Sequence, residues 1–398
     1  MLSSFYNKFL FALVSICYVQ GASAQYSLTL QLTTVPGNKA GDNIYAAGNF
    51  NGWNPGNEGY RFTKNADNTW QLVIKNLPAE NYEFKFTRGS WDKVACASNG
   101  NDIANNAVQL KSDTVLQYSV QAWKDDFVPV PKQHTASGHV AIIDTAFYMP
   151  QLNRSRRIWL YLPQDYADSK KRFPVLYMHD GQNLFDAFTS GYGEWGVDEC
   201  LDTLTRNNHY DCIVVGIDNG PQRLNEYNPF DNERFGKGEG KQYVDFLVNT
   251  LKPFIDDHYR TLKDKNNTMI AGSSMGGLIS YAAALYYPSV FGKAGVFSPA
   301  FWTAIPGIND LTDSLAVNNS GKFFFFMGGK EGEEYMNDMF SIMQSLGTRS
   351  SALIYSVVDP EGKHNEAAWC RWFPEFLKFM MADWTNYIID TAGIEDDR

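Results

Sequence analysis

Apolar and polar residues alternate along Ser27–Leu32 (SLTLQL), Thr69–Ile74 (TWQLVI), Asn81–Thr87 (NYEFKFT) and Leu116–Trp123 (LQYSVQAW). Period-two alternation is the mark of strands with one buried face. The runs between them, NFNGWNPGNEG, KNADN and SNGND, are rich in turn formers. Short strands at this spacing predict a small all-β sandwich over residues 25–124. Trp70 falls on its inward register and is expected in the core.

After Gly138 the pattern changes. The segments RIWLYLP, FPVLYMHDG, CIVVGIDNG, TMIAGSS, AGVFSPA, KFFFFMGG and ALIYSVVD are near-continuous apolar runs, and stretches of helical length such as GKQYVDFLVNTLKPFIDDHY separate most of them. Strands without polar alternation are buried on both faces, so the pattern predicts a mostly parallel sheet covered by helices, an α/β domain over residues 138–390. Residues 125–137, with Pro129 and Pro131 in a Val-Pro-Val-Pro run, read as a stiff linker, and residues 391–398 as a tail. No internal repeat or low-complexity tract is visible.

The first 24 residues have the form of an export signal: Lys8, the apolar run Phe9–Val19, then Ala22-Ser23-Ala24 before Gln25. The apolar run falls short of the ~20 residues a transmembrane helix needs. The chain of 398 residues is 44% hydrophobic and 15% aromatic, enough for two cores, and its net charge of −10 disfavours nucleic acid or an anionic membrane as partner. Four cysteines follow the signal, too few for a disulfide scaffold and without a C-x-x-C pair; Cys200 and Cys212 are open to pairing or to remaining buried thiols. Oligomeric state is not legible.

The segment TMIAGSSMGGLISYAAALYY joins a strand to a helix through Gly272-Ser273-Ser274-Met275-Gly276. A Gly-x-Ser-x-Gly turn in that context lifts Ser274 above a sheet edge as a nucleophile. Serine needs an imidazole to take its proton and an acid to orient the imidazole. His364, in DPEGKHNEAAW, is the only histidine after Ser274. For the acid, Glu331 lies nearest the end of the strand KFFFFMGG; Glu334 and Asp338 are rivals and Asp359 a more distant one. An oxyanion would rest on the amide of Met275 and on that of Gln182 or Gly181 in MHDGQN. His179, ahead of the nucleophile, reads as a residue that shapes this loop. Tyr192, Trp195, Arg223, Glu226 and Tyr227 lie on loops expected to flank a pocket. Neither a metal nor an organic cofactor is called for.

Together, RIWLYLPQDY, FPVLYMHDGQNLFD, IVVGIDNGPQRLNEYNP, AGSSMGG and HNEAAW resemble the Putative esterase family of α/β hydrolases, over about residues 138–384. That branch includes feruloyl and acetyl carbohydrate esterases, enterochelin-type siderophore esterases, S-formylglutathione hydrolase and mycolyl transferases. The resemblance implies an α/β-hydrolase fold and the triad Ser274, Glu331 and His364. AAGNFNGWNP and YEFKFTRGSWDKV resemble starch-binding and glycogen-branching-type modules of immunoglobulin-like architecture, which implies Trp53 and Trp91 as sugar-stacking residues. The expectation is an exported serine esterase acting on acetyl or feruloyl esters of polysaccharides or oligosaccharides. The alternatives are a siderophore or other small-ester esterase, an acyltransferase, or a non-catalytic binding protein, the last disfavoured because both serine and histidine are retained.

Overall fold

The computed structural model describes residues 25–37, 41–127, 132–208 and 210–382. The expected export signal, the Val-Pro-Val-Pro run and the tail lie outside them. The chain divides into two compact units, residues 1–131 and 132–398.

In the first unit Gln25–Thr34 pairs antiparallel with Trp70–Pro78 and parallel with Thr114–Ser119, and Thr63–Lys64 adds an edge. A three-stranded sheet joins Tyr45–Gly48, Asn81–Thr87 and Asn106–Gln109, and Ala95–Cys96 pairs with Ala122–Trp123. The alternation read from the sequence turns Leu28, Leu30 and Leu32 inward, against Trp70, Phe84, Phe86 and Trp123. The buried Arg88 guanidinium pairs with Asp42 and Asp125 and lies 5.1 Å over Trp123.

The second unit is built on an eight-stranded sheet: β1 (Val140–Met149), β2 (Arg154–Tyr161), β3 (Val175–His179), β4 (Ile213–Ile217), β5 (Thr268–Ser273), β6 (Lys293–Phe297), β7 (Lys322–Gly328) and β8 (Leu353–Asp359), in spatial order β1-β2-β4-β3-β5-β6-β7-β8. β1 and β2 are antiparallel to their neighbours and the rest run parallel. Among the described residues the helices longer than one turn are α1 (Val197–Asn208), α2 (Gly240–Phe246), which passes through a π-helical turn into α3 (Lys252–His258), then α4 (Met275–Tyr286), α5 (Gly307–Leu315), α6 (Glu333–Arg349) and α7 (Glu366–Met381), and Arg223–Glu226 forms a single turn. Burial on both faces shows in β7, where Phe323 and Phe325 enter one core cluster and Phe324 and Phe326 the other. All the parallel strands end at one edge, so the turns after β3, β4, β5, β6, β7 and β8 converge there.

Of the segment expected as a linker, Asp125 belongs to the first unit through Arg88. Residues 132–137 are tied to the second unit: Lys132 bonds the carbonyl of Ser190, His134 Nδ1 lies 2.7 Å from Asp186 Oδ2, and the Ser137 amide donates to Asp198 (2.7 Å).

Candidate active site

The strand β5 ends in a turn with almost no room for side chains. A Cβ on Gly272 would stand 3.0 Å from the Gly276 carbonyl carbon and from His179 Cδ2; one on Gly276 would stand 3.2 Å from His179 Cβ. Ser274 sits between them at φ 58°, ψ −119°, a conformation a non-glycine residue adopts only when its surroundings impose it. They do so through the backbone. The Ser274 amide donates to the Phe297 carbonyl (3.0 Å), and its own carbonyl accepts from the amides of Ala300 (3.0 Å) and Leu278 (3.1 Å). Asp180 and Ser298, after β3 and β6, also have positive φ, so three such residues cluster at one sheet edge.

His364 follows β8, and its Nδ1 lies 2.7 Å from Glu331 Oε2. The second oxygen of that carboxylate accepts from the Ser298 hydroxyl (2.6 Å) and the Gly328 amide (2.7 Å), while Trp369 Nε1 donates to Ser298 Oγ (2.9 Å) and meets the His364 ring edge-on at 5.2 Å. The Glu331 side chain is 3% exposed and the imidazole 47%. A fixed, shielded carboxylate thus faces an accessible ring. A Cβ on Gly328 would come within 2.6 Å of the Gly362 backbone and 2.8 Å of Glu331 Oε1, so the residue that donates to Glu331 must be glycine. The rival acids lie elsewhere. Asp359 accepts from Arg371 (2.8 Å) and Trp372 Nε1 (3.0 Å), and the indole bond in the lead holds it below the usual carboxylate range against its burial. Glu334 and Asp338 stand on α6.

Ser274 and His364 line one cavity of about 660 Å³, with Asp180, Gln182, Asn183, Tyr192, Trp195, Asn219, Arg223, Glu366 and Trp369 among its walls. Asp180 joins two loops: it accepts from Arg223 Nε and Nη2 (both 2.7 Å) and from Asn219 Nδ2 (2.6 Å). Burial works against its charge, but the Arg223 guanidinium prevails and its carboxyl stays below the usual range. Gln182 is pinned through its carbonyl by Thr189 Oγ1 (2.8 Å) and through Oε1 by the Asn219 amide (3.2 Å). Gly181 precedes it where a Cβ would meet Trp159 and the Gly216 carbonyl carbon at 2.9 Å. Met275 is the first residue of α4, where an amide has no intrahelical acceptor; its thioether is buried against Thr303. His179 is buried beneath the turn, 3.0 Å from the Tyr243 hydroxyl, and its burial lowers its pKa to about 4. It packs against both glycines of the Ser274 turn, whereas the sequence reading assigned it to shaping its own loop, MHDGQN.

Two expected pocket residues are not there. Glu226 is buried in ion pairs with Arg154 (2.8 Å) and Arg156. Tyr227 is buried against His179 and Tyr243, both rings at 5.1 Å, and the Arg223 guanidinium lies over it at 5.2 Å. Arg223 therefore takes the cavity side and screens Tyr227 from it. Trp195 does line the cavity, as a wall rather than a mobile rim: it is 2% exposed and stacks on Trp369 at 5.6 Å. Tyr192, 88% exposed, is the rim. Sequence reasoning missed Asp180, Asn183, Asn219, Glu366 and Trp369 as wall residues, although MHDGQN and HNEAAW had drawn attention for other reasons. Cys200 and Cys212 are free thiols, as are Cys96 and Cys370, and burial pushes Cys200 up to about 12.

In the first unit, Trp53 (φ 60°) and Trp91 stand on separate turns with ring centroids 6.4 Å apart and planes at 39°. Trp91 is 43% exposed and Trp53 half-buried. Trp70 is in the core, as its register required.

The chain is 30% identical over 187 residues to the uncharacterized protein YbbA of Bacillus subtilis (strain 168), covering 45% of this chain and 70% of that protein. It is 26% identical over 221 residues to an endo-1,4-beta-xylanase/feruloyl esterase of Xylanibacter ruminicola, covering 54% of this chain but 28% of the relative. Among solved structures, the enterobactin esterase FES of Shigella flexneri shares the fold with a TM-score of 0.51 at 16% identity, over 89% of this chain and 92% of that one. The family model described as Putative esterase matches residues 149–377, more than half of the chain, and the chain belongs to that family.

Proposed function

We propose that this protein is an exported serine esterase that hydrolyses acyl esters of acetyl or feruloyl type on polysaccharides or oligosaccharides. The observation that carries the catalytic part is the 2.7 Å contact between His364 Nδ1 and the thrice-bonded Glu331, in the same cavity as a serine held at positive φ. Glu331 fixes the imidazole with Nδ1 as its donor, leaving Nε2 as the base. His364 takes the Ser274 hydroxyl proton as Oγ attacks the ester carbonyl. The amides of Met275 and Gln182 or Gly181 receive the oxyanion. The leaving alcohol takes the proton from His364, and water then repeats the sequence on the acyl-enzyme.

Export is carried by residues 1–24. Among the described residues no helix is long and apolar enough to cross a membrane. The first unit is an immunoglobulin-like sandwich of carbohydrate-binding type, with Trp53 and Trp91 offering ring faces to the C–H faces of sugars. The similarity to a protein named as a xylanase/feruloyl esterase supports the carbohydrate ester as substrate.

Acid release by the mature protein and by Ser274→Ala, from acetylated xylan, a feruloylated oligosaccharide and a catecholate trilactone, tests the reading. Release from a carbohydrate ester that drops to background in the variant is expected. Release from the trilactone alone would move the substrate to siderophores, and equal release by both proteins would remove Ser274 as nucleophile.

A further inference from the structure

Next to the cavity wall at Trp195 stand three carboxyl groups that the proposed reaction leaves unused: Glu194, Asp198 and Glu199. One oxygen from each lies within 4.8 Å of the other two. Glu194 directly precedes Trp195, and Asp198 and Glu199 fall in the first turn of α1. Acids are common in the first turn of a helix, where the aligned peptide dipoles favour negative charge, so the sequence pattern called for no metal here.

This group differs from an ordinary helix start in how it is compensated. Asp198 is fully buried. Its Oδ2 accepts from the Ser137 amide (2.7 Å), but its Oδ1 is also buried and meets no hydrogen-bond donor among the described residues. Among those residues no lysine, arginine or histidine forms an ion pair with any of the three acids. The cations close in sequence are engaged elsewhere: His134 pairs with Asp186, and Lys132 bonds the carbonyl of Ser190. A buried carboxylate persists only where opposite charge or a full set of donors offsets its lost hydration, and here neither is supplied by the chain. Partial burial pushes Glu194 and Glu199 above the usual carboxylate range, and Asp198 adds to both. Three mutually repelling acids around a buried, unbonded oxygen form an arrangement that a cation relieves.

The donor set selects the cation. All three ligands are carboxylate oxygens, which suit hard ions over transition metals. A thiol is close by, since a Cβ on Gly196 would stand 3.4 Å from Glu199 Oε2 and 3.7 Å from Cys370 Sγ, but burial raises the Cys370 pKa and keeps it protonated. Ca²⁺ at about 2.4 Å from each ligand can bridge oxygens up to ~4.8 Å apart, whereas Mg²⁺ at about 2.1 Å requires them closer and in stricter geometry. Glu199 is exposed, so the group opens to solvent and water can complete the ~6–8 oxygens that Ca²⁺ takes. We infer that Glu194, Asp198 and Glu199 form a binding site for one Ca²⁺. The ion would join three pieces of the second unit: the start of α1, the loop that carries Tyr192 and Trp195 to the cavity, and residues 132–137, where Thr135 Oγ1 donates to the Glu194 carboxylate (2.8 Å) and Ser137 to Asp198. This role is structural and stands apart from the ester-hydrolase reading.

The test is calorimetric titration of the full-length protein, stripped with EDTA and dialysed, with CaCl2 and separately with MgCl2, together with Tm measured with and without about 2 mM of each salt. Expected are one Ca²⁺ per chain with a Kd of about 10⁻⁴ M or below, Mg²⁺ weaker by about tenfold or more, and a Tm raised by about 3 °C or more in Ca²⁺ alone. Glu199→Gln changes an exposed side chain, and Asp198→Asn keeps an acceptor for the Ser137 amide, so both should fold and each should weaken Ca²⁺ by about tenfold or more. Absence of stoichiometric binding by the wild-type chain overturns the inference without recourse to either variant. So does a Ca²⁺ response that Mg²⁺ reproduces or that both variants retain, which would be the diffuse response of a chain with net charge −10. A wild type that binds no Ca²⁺, and a Glu199→Gln variant that melts higher in EDTA, would overturn it in favour of a proton shared between Asp198 and Glu199.

Discussion

Each unit presents a candidate site, and the two are held in very different ways. In the second unit Ser274 is bonded through both its amide and its carbonyl, and its turn is closed by two glycines against His179. Glu331 is held by three donors from three separate segments. In the first unit Trp53 and Trp91 stand on two turns, their rings tilted and 6.4 Å apart, with Trp91 open to solvent. The difference matches what each site is proposed to do. Attack on a carbonyl loses rate when reacting atoms are displaced by an ångström, whereas an aromatic face laid on a sugar tolerates tilt and slip. Sites that break and form bonds are over-determined; sites that stack need not be.

Substitution at the reacting atom should separate the units most sharply. Ser274→Ala is expected to lower kcat for ester hydrolysis by about 10⁴-fold or more, with retention on insoluble xylan carried by the first unit. Initial rates and a pull-down on the same preparation check this, and a variant that keeps a tenth of its activity would break the proposed division of labour. Glu331→Gln comes next. It keeps the shape but no longer enforces Nδ1 as the donor, and a loss of about 10³-fold in kcat is expected, with Asp359→Asn far milder. The reverse ranking would make Asp359 the orienting acid.

The third contrast is in acid stability. His179 has its pKa lowered to about 4 by burial, against ~6.5 when unfolded. Between those values the unfolded chain binds a proton that the folded one does not, so stability is full above about pH 6.5 and is lost as pH falls toward 4, by ~3 kcal/mol. The first unit contains no histidine between residues 25 and 131. Hydrogen exchange resolved by unit should therefore show opening in the second unit alone over this range, and His179→Gln should flatten that slope. Equal loosening of the first unit would rule out His179 as the cause. The smallest effect belongs to Trp91→Ala, expected to weaken binding to a soluble xylo-oligosaccharide by about 1 kcal/mol, roughly fivefold. Calorimetry on the full chain measures it, and unchanged affinity would leave the first unit without a sugar-stacking role at that residue.

Much of this molecule could be read before any coordinates. Period-two alternation identified the strands around Leu28, Leu30 and Leu32, and continuous apolar runs identified β2 to β7, because burial on one face or two leaves different patterns; β8 was marked by its apolar run although as an edge strand it is mostly exposed or half-buried. The strand β1 escaped: in VAIIDTAFYM most residues are exposed or half-buried, with no inward stripe to detect. Ser274 and His364 were legible because a glycine-flanked turn and a histidine unique in its region are one-dimensional signals.

What the sequence by itself determined was therefore the chemistry available and its order along the chain: a strand–serine–helix turn, an acid drawn from a short group, a histidine, and two domain types. Tertiary structure alone decided which acid and which walls. Glu331 rather than Asp359 meets His364 because Gly328 and Ser298, from neighbouring strands, hold one and Arg371 and Trp372 hold the other. Arg223 faces the cavity while Glu226 and Tyr227 turn away because Asp180, 43 residues earlier, claims the guanidinium. Glu366 enters the site because Asn183, 183 residues earlier, reaches it from another loop. Such choices are made between segments far apart in the chain, where short-range pattern carries no record of who the neighbour is.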